Sequence, residues 1–326
     1  MDLELFVPTS ESAPLIPKLG GDVRAITVDD LRGFDAVIHL AALSNDPISN
    51  RFETLTDEIN HRASVKLAQL AKQAGCTRFT FASSCSVYGQ SEGIASETSP
   101  VNPLTAYARS KYDTECALQR VAAPEFTISC LRFATACGSS PGLRLDLVLN
   151  DFVTRAMLEQ KITILSDGTP WRPLIHVSDM ARALEWSLHR DPAMPYVVAN
   201  VGSNEWNYRV IELAEAVARG IPGVSISVNK EAPPDKRSYR VGFDLFNELA
   251  AERYRPLVSL PAAIEDLAGG LDQILSQIPT RPRNFKELQD RIVDVIRLEK
   301  ISKLQASGIL SNALEWVGAS HPGLHP

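Results

Sequence analysis

The chain has 326 residues, 44% of them apolar and 22% charged, enough for a sizeable buried core and one or two domains. Its formal net charge of −6 argues against a general nucleic-acid or anionic-membrane surface, so an anionic ligand would need local arginines. The five cysteines (Cys76, Cys85, Cys116, Cys130 and Cys137) are odd in number and form no Cys-x-x-Cys, which reads as a reduced, intracellular chain and not as a disulfide framework or zinc site. No apolar run approaches the roughly 18 residues of a membrane span. The opening MDLELFVPTSESAP has no basic stretch leading into an apolar core, so it is not read as a signal peptide, and cytoplasm is the expected location.

Residues 1–34 carry few apolar positions around a Pro/Ser-rich stretch and Gly20-Gly21, and Asp29-Asp30-Leu31 can start a short helix. The near-continuous apolar run Asp35–Ala42 predicts a buried parallel strand. Leu55, Ile59, Ala63, Leu67, Leu70 and Ala74 recur at helical steps, so Glu53–Ala74 is an amphipathic helix closed by Gly75. Arg78–Ser83 is a strand ending in a cluster of hydroxyls, Ala106–Val121 a helix and Phe126–Phe133 a strand. This alternation predicts an α/β fold with a parallel, doubly wound sheet.

After Gly138 the pieces are shorter. Asp151–Glu159 is predicted helical and Ile162–Leu165 a strand, with a turn at residues 167–170. Ser178 is expected to cap a helix running to His189, with Asp179 near its positive end. Tyr196–Val201 and Val224–Val228 read as strands and Tyr208–Arg219 as a helix. These segments suggest a smaller second lobe. Residues 261–278 and 285–317 read as mostly helical, and 319–326 as a frayed tail.

The chemistry concentrates between Arg78 and Lys111. On a helix, Tyr107 and Lys111 share one face. An ammonium beside a phenol favours the phenolate, so Tyr107 can act as a base nearer neutral pH than its free value of about 10. Ser84, at the end of the preceding strand, can hydrogen-bond the same substrate oxygen, which makes a proton-abstraction site for a sugar or alcohol hydroxyl. Tyr-x-x-x-Lys alone would more often mark an exposed helix face. The Ser-rich strand end ahead of it weighs against that.

Several motifs then fall in one order: His39-Leu40-Ala41-Ala42, Asn60, Ser83-Ser84-x-x-Val87-Tyr88-Gly89, Tyr107-x-x-x-Lys111, Leu131-Arg132 followed by Gly138, and Arg172-x-x-Ile175-His176-Val177-x-Asp179. Together they resemble the extended short-chain dehydrogenase/reductases, in the nucleotide-sugar epimerase/dehydratase branch (UDP-glucose 4-epimerase-like), over about residues 22–258. The resemblance implies a Rossmann-like dinucleotide-binding domain over 1–138, with segments near 170–200 returning to it. It also implies a nucleotide-sugar lobe over 139–260, followed by a helical extension over 261–326. It implies NAD as cofactor, in preference to NADP, held by Asp2, Asp22, His39, Ala41, Ala42, Tyr107 and Lys111. Ser84, Tyr107 and Lys111 would be catalytic; Ser84, Asn150, Arg172, Asp235 and Arg237 would bind a nucleotide sugar. No metal, membrane or nucleic-acid partner is implied. A homodimer through the 53–74 and 106–121 helices is.

The departures narrow the chemistry. Dehydratases of this branch carry an Asp-Glu pair after the catalytic Ser or Thr, whereas Cys85 and Ser86 stand here. The expected reaction is therefore NAD-dependent epimerisation of a nucleotide-activated hexose through a transient 4-keto sugar. A keto-sugar reductase or oxidase, or a non-catalytic nucleotide-sugar-binding protein, remain alternatives on the residues alone. Cys85 is an acid/base candidate whose commoner reading is a small packed thiol. Tyr239 occupies a gate position beside the hexose, and Cys137 replaces a common tyrosine. Asn150 could instead cap its helix, Arg172 could be a surface residue, and His176 and Arg132 read as structural. The four tryptophans, Trp171, Trp186, Trp206 and Trp316, read as packing. No strand–G-x-x-G-x-x-G–helix opens the chain, and the resemblance expects that unit in about 30–35 further residues ahead of Met1. An upstream start and a genuine loss are both open on the sequence.

Overall fold

The computed structural model describes residues 22–44, 46–140, 143–232, 237–276, 278, 280–291 and 311. Asp2, Gly20, Gly21, Asp235 and Trp316, all singled out above, lie outside these residues. In chain order the strands are β1 (Ala36–His39), β2 (Arg78–Ser84), β3 (Gln90–Ala95), β4 (Thr127–Phe133), β5 (Thr135–Cys137), β6 (Lys161–Ile164), β7 (Trp171–His176), β8 (Tyr196–Val201), β9 (Asn207–Arg209), β10 (Ser225–Val228) and β11 (Ser238–Val241). The helices are α1 (Asp46–Arg51), α2 (Glu53–Thr56), α3 (Ala63–Gln73), α4 (Ala106–Gln119), α5 (Val148–Glu159), α6 (Val177–His189), α7 (Val210–Gly220), α8 (Asp244–Leu249), α9 (Leu260–Ser276) and α10 (Phe285–Arg291).

β1, β2, β4 and β8 form one sheet in that order, all parallel. β4 runs through its middle with every residue buried, as a strand covered on both faces requires. One face packs Phe79, Phe81, Ile128 and Cys130 against Leu67, Ala68 and Ala71 of α3 and Leu118 of α4. The other packs Leu131, Val197 and Ala199 against Ala183 and Trp186 of α6. Helices on both faces of a parallel sheet make the fold doubly wound, as the alternation of elements predicted. β1 has no strand partner on its outer side among the described residues, and Ile38 and Leu40 there are 38% and 57% exposed.

A second core surrounds α5, α7, α9 and α10. It joins Cys137, Leu149, Phe152, Val153, Ile162, Leu213, Val217, Ile264, Leu267 and Phe285. Short strand pairs flank it: β6 with β10, and β7 with β5 on one side and β9 on the other. β3 pairs with β11, so the segment just after the Ser84 strand end meets the segment around Tyr239.

Three local details differ from the sequence-based expectation. α6 is capped by His176 and not by Ser178, because the His176 ring nitrogen Nδ1 accepts the Ser178 backbone N–H at 3.3 Å. α7 begins at Val210, since Asn207–Arg209 is drawn out to pair with β7. Between α2 and α3 the helix widens into a π turn at Asp57–Arg62, a distortion often found where a side chain must be re-aimed. No helix of the described residues is long and apolar enough to cross a membrane. Of the predicted helix at 285–317, only Phe285–Arg291 lies largely within the described residues.

Candidate active site

β2 ends at Ser84, where a tight 3-10 turn over Cys85–Tyr88 begins. The Ser84 hydroxyl caps that turn by accepting the Ser86 backbone N–H at 3.1 Å. The turn closes at Gly89, whose φ is 62° and where a Cβ would stand 1.9 Å from the Asn102 carbonyl oxygen, so a side chain there has neither backbone freedom nor room. α4 starts under the same strand end, with Thr105 Oγ1 accepting the Ala108 N–H at 3.1 Å as an N-cap. Its first two turns present Tyr107, which is partly buried, and Lys111, which is 2% exposed.

The structure brings Ser84, Tyr107 and Lys111 together. The Ser84 side chain lies near enough to the Tyr107 phenol to favour its ionised form. Lys111 Nζ donates to the Ala82 carbonyl at 2.6 Å and stands 4.6 Å from the Phe81 ring centre and 5.5 Å from that of Tyr107. An ammonium has three donors, and the Ala82 carbonyl is its one hydrogen-bond acceptor among the described residues. A buried cation with donors to spare suits a polar ligand such as a ribose.

Burial pushes the Tyr107 phenol above its ordinary value. The Arg144 charge and the Ser84 side chain pull it down, and the Asp46 carboxylate pushes it up. Arg144, rather than Lys111, is thus the cation that acts against burial at this phenol. Lys111 itself is lowered to about 8, chiefly by burial, with the Glu115 carboxylate resisting. His39, at the end of β1, is lowered to about 3 by burial and by the Lys111 charge. It is therefore a neutral ring, bonded to Ser64 Oγ at 2.7 Å.

Ala41 and Ala42 lie on the partly exposed loop beyond β1. That loop is pinned by Asn60 from the π turn. Its Oδ1 accepts the Leu43 N–H at 2.8 Å, while Nδ2 donates to the Leu43 carbonyl at 3.1 Å and to Ser110 Oγ on α4 at 3.2 Å. Asp22 caps the short turn after it and is paired with Arg24. Burial favours its neutral form, but the Arg24 hydrogen bonds outweigh this and hold the carboxyl low.

The opposite wall comes from the second lobe. Asn150 is inside the first turn of α5 and does not cap it. Its Oδ1 accepts the Gly138 N–H at 3.3 Å, and Nδ2 donates to the Arg144 carbonyl at 2.9 Å. The Arg144 guanidinium reaches Asp146 and also donates to the Ser44 carbonyl at 3.2 Å. Arg172 donates to the carbonyls of Trp171 and Arg237, and Arg237 pairs with Asp46 at 2.8 Å. Tyr239 is buried, and its phenol is raised by that burial and by Cys85 nearby. Cys85 is a packed thiol that donates to the Arg132 carbonyl at 3.1 Å and is pushed strongly up by burial.

Arg144 and Asp46 escape the motif-based reading. Arg144 lies in an irregular segment and Asp46 opens the short helix α1; no motif marks either, and only the fold brings them near Tyr107. Trp186 packs edge-on against Phe246, with ring centres 5.2 Å apart, and Trp206 is buried. Trp171, however, lies between the guanidinium groups of Arg209 and Arg240 at 5.1 and 5.0 Å. Among the described residues no group of three or more His, Cys, Asp or Glu could hold a metal ion.

The sequence profile described as "NAD dependent epimerase/dehydratase family" matches residues 21–202. The chain is 30% identical to "Uncharacterized UDP-glucose epimerase YtcB" of Bacillus subtilis over 54% of its own length and 55% of that protein. It is 27% identical to "UDP-glucuronate 4-epimerase" of Thermodesulfobacterium geofontis over 59% of each. The chain therefore spans little more than half of these relatives' length. Among solved structures it is similar to "MoeE5 in complex with UDP-glucose and NAD", with a TM-score of 0.68, 27% identity, and coverage of 78% of this chain and 85% of that one. A UDP-glucose-4-epimerase from Stenotrophomonas maltophila shares the fold at a TM-score of 0.69 and 23% identity, over 79% of this chain and 83% of that one.

Proposed function

Because the chain belongs to the NAD dependent epimerase/dehydratase family, we propose that it epimerises the hexose of a UDP-sugar at C4 through a keto-sugar. The observation that carries this reading is the convergence of Ser84, Tyr107 and Lys111 at one strand end, with Cys85 packed away and no carboxylate in the two positions after Ser84. A dehydration would need an acid and a base there. An epimerisation needs one group that removes and returns a hydroxyl proton.

Tyr107 is that group, and Ser84 shares the hydrogen bond to the reacting oxygen. Lys111, with donors beyond the Ala82 carbonyl, holds the ribose next to the nicotinamide and keeps a positive charge beside the Tyr107 ring. NAD, when bound, accepts a hydride from the sugar carbon and gives it back. Its nicotinamide end fits Lys111, Tyr107, and the loop carrying Ala41 and Ala42. The family resemblance extends the cofactor site to His39, Asp22 and Asp2. His39 sets the β1 end by bonding Ser64 Oγ.

Arg172 is assigned to the sugar diphosphate, and Arg237, whose carbonyl it meets, to the closing of the site on the nucleotide, together with Asp235. Asn150 shapes the floor between Gly138 and Arg144 and meets the diphosphate there. The substrate class is supported by relatives named for UDP-glucose and UDP-glucuronate and by a similar solved structure that holds UDP-glucose and NAD. A homodimer through the 53–74 and 106–121 helices belongs to the same reading, and light scattering at a monomer or dimer mass decides it.

The test is an incubation of the purified chain with NAD and UDP-glucose, and separately with UDP-glucuronate, followed by proton NMR and by the near-ultraviolet absorbance of reduced nicotinamide. The 4-epimer should accumulate while the absorbance stays flat. Absorbance that rises or falls in step with turnover would instead mean net oxidation or reduction. Sugar binding with no NAD binding and no product would mean a non-catalytic protein.

A further inference from the structure

Four residues beyond Lys111 on α4, and so on the same face, stands Glu115. It belongs to none of the motifs above. Its side chain and that of Arg132 are 3% and 5% exposed, and a charge taken that far from water survives only with close partners. Glu115 has a full set. The Ser83 hydroxyl donates to Oε1 at 2.5 Å, Arg132 Nε donates to both oxygens at 3.0 and 3.1 Å, and Arg132 Nη2 donates to Oε2 at 2.6 Å.

The strand register explains how the partners meet. Ser83 on β2 lies directly opposite Arg132 on β4, and α4 crosses beneath both. Arg132 is held in turn, since its Nη1 donates to the Tyr88 hydroxyl at 2.9 Å, which reaches Asn200 Oδ1 on β8 at 2.8 Å. The carboxylate is thus fixed from β2, from β4 and from the turn that follows Ser84.

The groups around Lys111 leave Glu115 as its anion. His39 on β1 is a neutral ring. Cys130 on β4 is a thiol held protonated by burial. Tyr107 is a protonated phenol and Arg132 a second cation. We propose that Glu115 is the positioning residue of this site: it keeps the Lys111 ammonium charged and, through Ser83, fixes the strand end that presents Ser84. The inference rests on the assignment of Ser84, Tyr107 and Lys111 as the reacting set. A brace with no electrostatic role would be replaceable by a neutral pair of similar shape.

The titration of Lys111, read from its side-chain Cε by NMR in the full chain without NAD or sugar and assigned with Lys111→Arg, tests this directly. The native residue should titrate near about 8. Glu115→Gln should move that midpoint down by about one unit or more, a tenfold fall in the ratio of ammonium to amine at a given pH. The same replacement in an Arg132→Met background, where no buried arginine is left unpaired, should again move it down. Ser83→Ala, which removes a hydrogen bond and no charge, should leave it in place. Simple loosening would admit water and move the midpoint up, toward the ordinary lysine value. A midpoint that stays or rises on Glu115→Gln in both backgrounds overturns the proposal. The measurement uses no turnover, so a chain that epimerises nothing refutes the proposed reaction without altering this result.

Discussion

Arg237 and Asp46 meet at 2.8 Å, joining the second-lobe segment ahead of β11 to the helix that follows the β1 loop. Asp46 also raises both phenols of the site, Tyr107 and Tyr239. Its side chain is 29% exposed and that of Arg237 50%, so the pair itself contributes only about 0–1 kcal/mol to stability. Asp46→Asn should therefore leave the melting temperature nearly unchanged. It should lower the Tyr107 value and so move the acidic limb of the kcat/KM profile to lower pH. A profile that does not move would remove Asp46 from the electrostatics of this site.

Tyr107→Phe deletes one hydroxyl from a partly buried ring and leaves the α4 cap intact. We expect kcat to fall by about 10²–10⁴ with binding of the UDP-sugar, measured by calorimetry, little changed. Ser84→Ala should lower kcat too, and should also cost about 1 kcal/mol in urea unfolding, because the Ser86 N–H loses its cap.

The doubly wound sheet and this set were legible in the sequence for a physical reason. Continuous apolar runs and the 3.6-residue period are local signals, and Tyr107 and Lys111 share one helix face by arithmetic. Arg144, Asp46 and Glu115 were not legible. Arg144 and Asp46 reach Tyr107 only through the fold, and Glu115, though on the Lys111 face by the same spacing, is set apart only by its distant partners Ser83 and Arg132, which no local pattern encodes. The cap of α6, expected at Ser178, was misplaced at a similar point. A helix start is visible in sequence, but which side chain closes it depends on neighbours such as the His176 ring.

Asn60 gives a stability prediction. It is wholly buried and satisfies both backbone groups of Leu43. Asn60→Ala strands those groups and should cost about 2–4 kcal/mol in urea unfolding. Asn60→Asp sets an acceptor and a buried charge against the Leu43 carbonyl and should cost at least as much as the alanine. A much smaller loss for the alanine would mean that these hydrogen bonds contribute little.

His39 predicts a pH dependence. Its value is lowered from 6.5 to about 3 on folding, so between these limits the unfolded chain binds a proton that the folded chain does not. Stability is full above about 6.5 and falls as the pH drops toward 3, by up to about 1.4 kcal/mol per pH unit. From pH 7 to pH 5 the native chain should lose about 2 kcal/mol more than His39→Asn. Parallel losses in the two would show that His39 is not the group that titrates.

In the proposed reaction one hydride leaves the sugar carbon and returns to the same carbon while Tyr107 holds the hydroxyl proton. UDP-glucose or UDP-glucuronate carrying deuterium at C4, incubated with the chain and NAD in ordinary water, tests it most directly. The 4-epimer should retain its deuterium, with no build-up of reduced nicotinamide, and Tyr107→Phe should give no such product. Product that has exchanged its C4 deuterium for solvent hydrogen, or an epimer formed equally well by Tyr107→Phe, would contradict it.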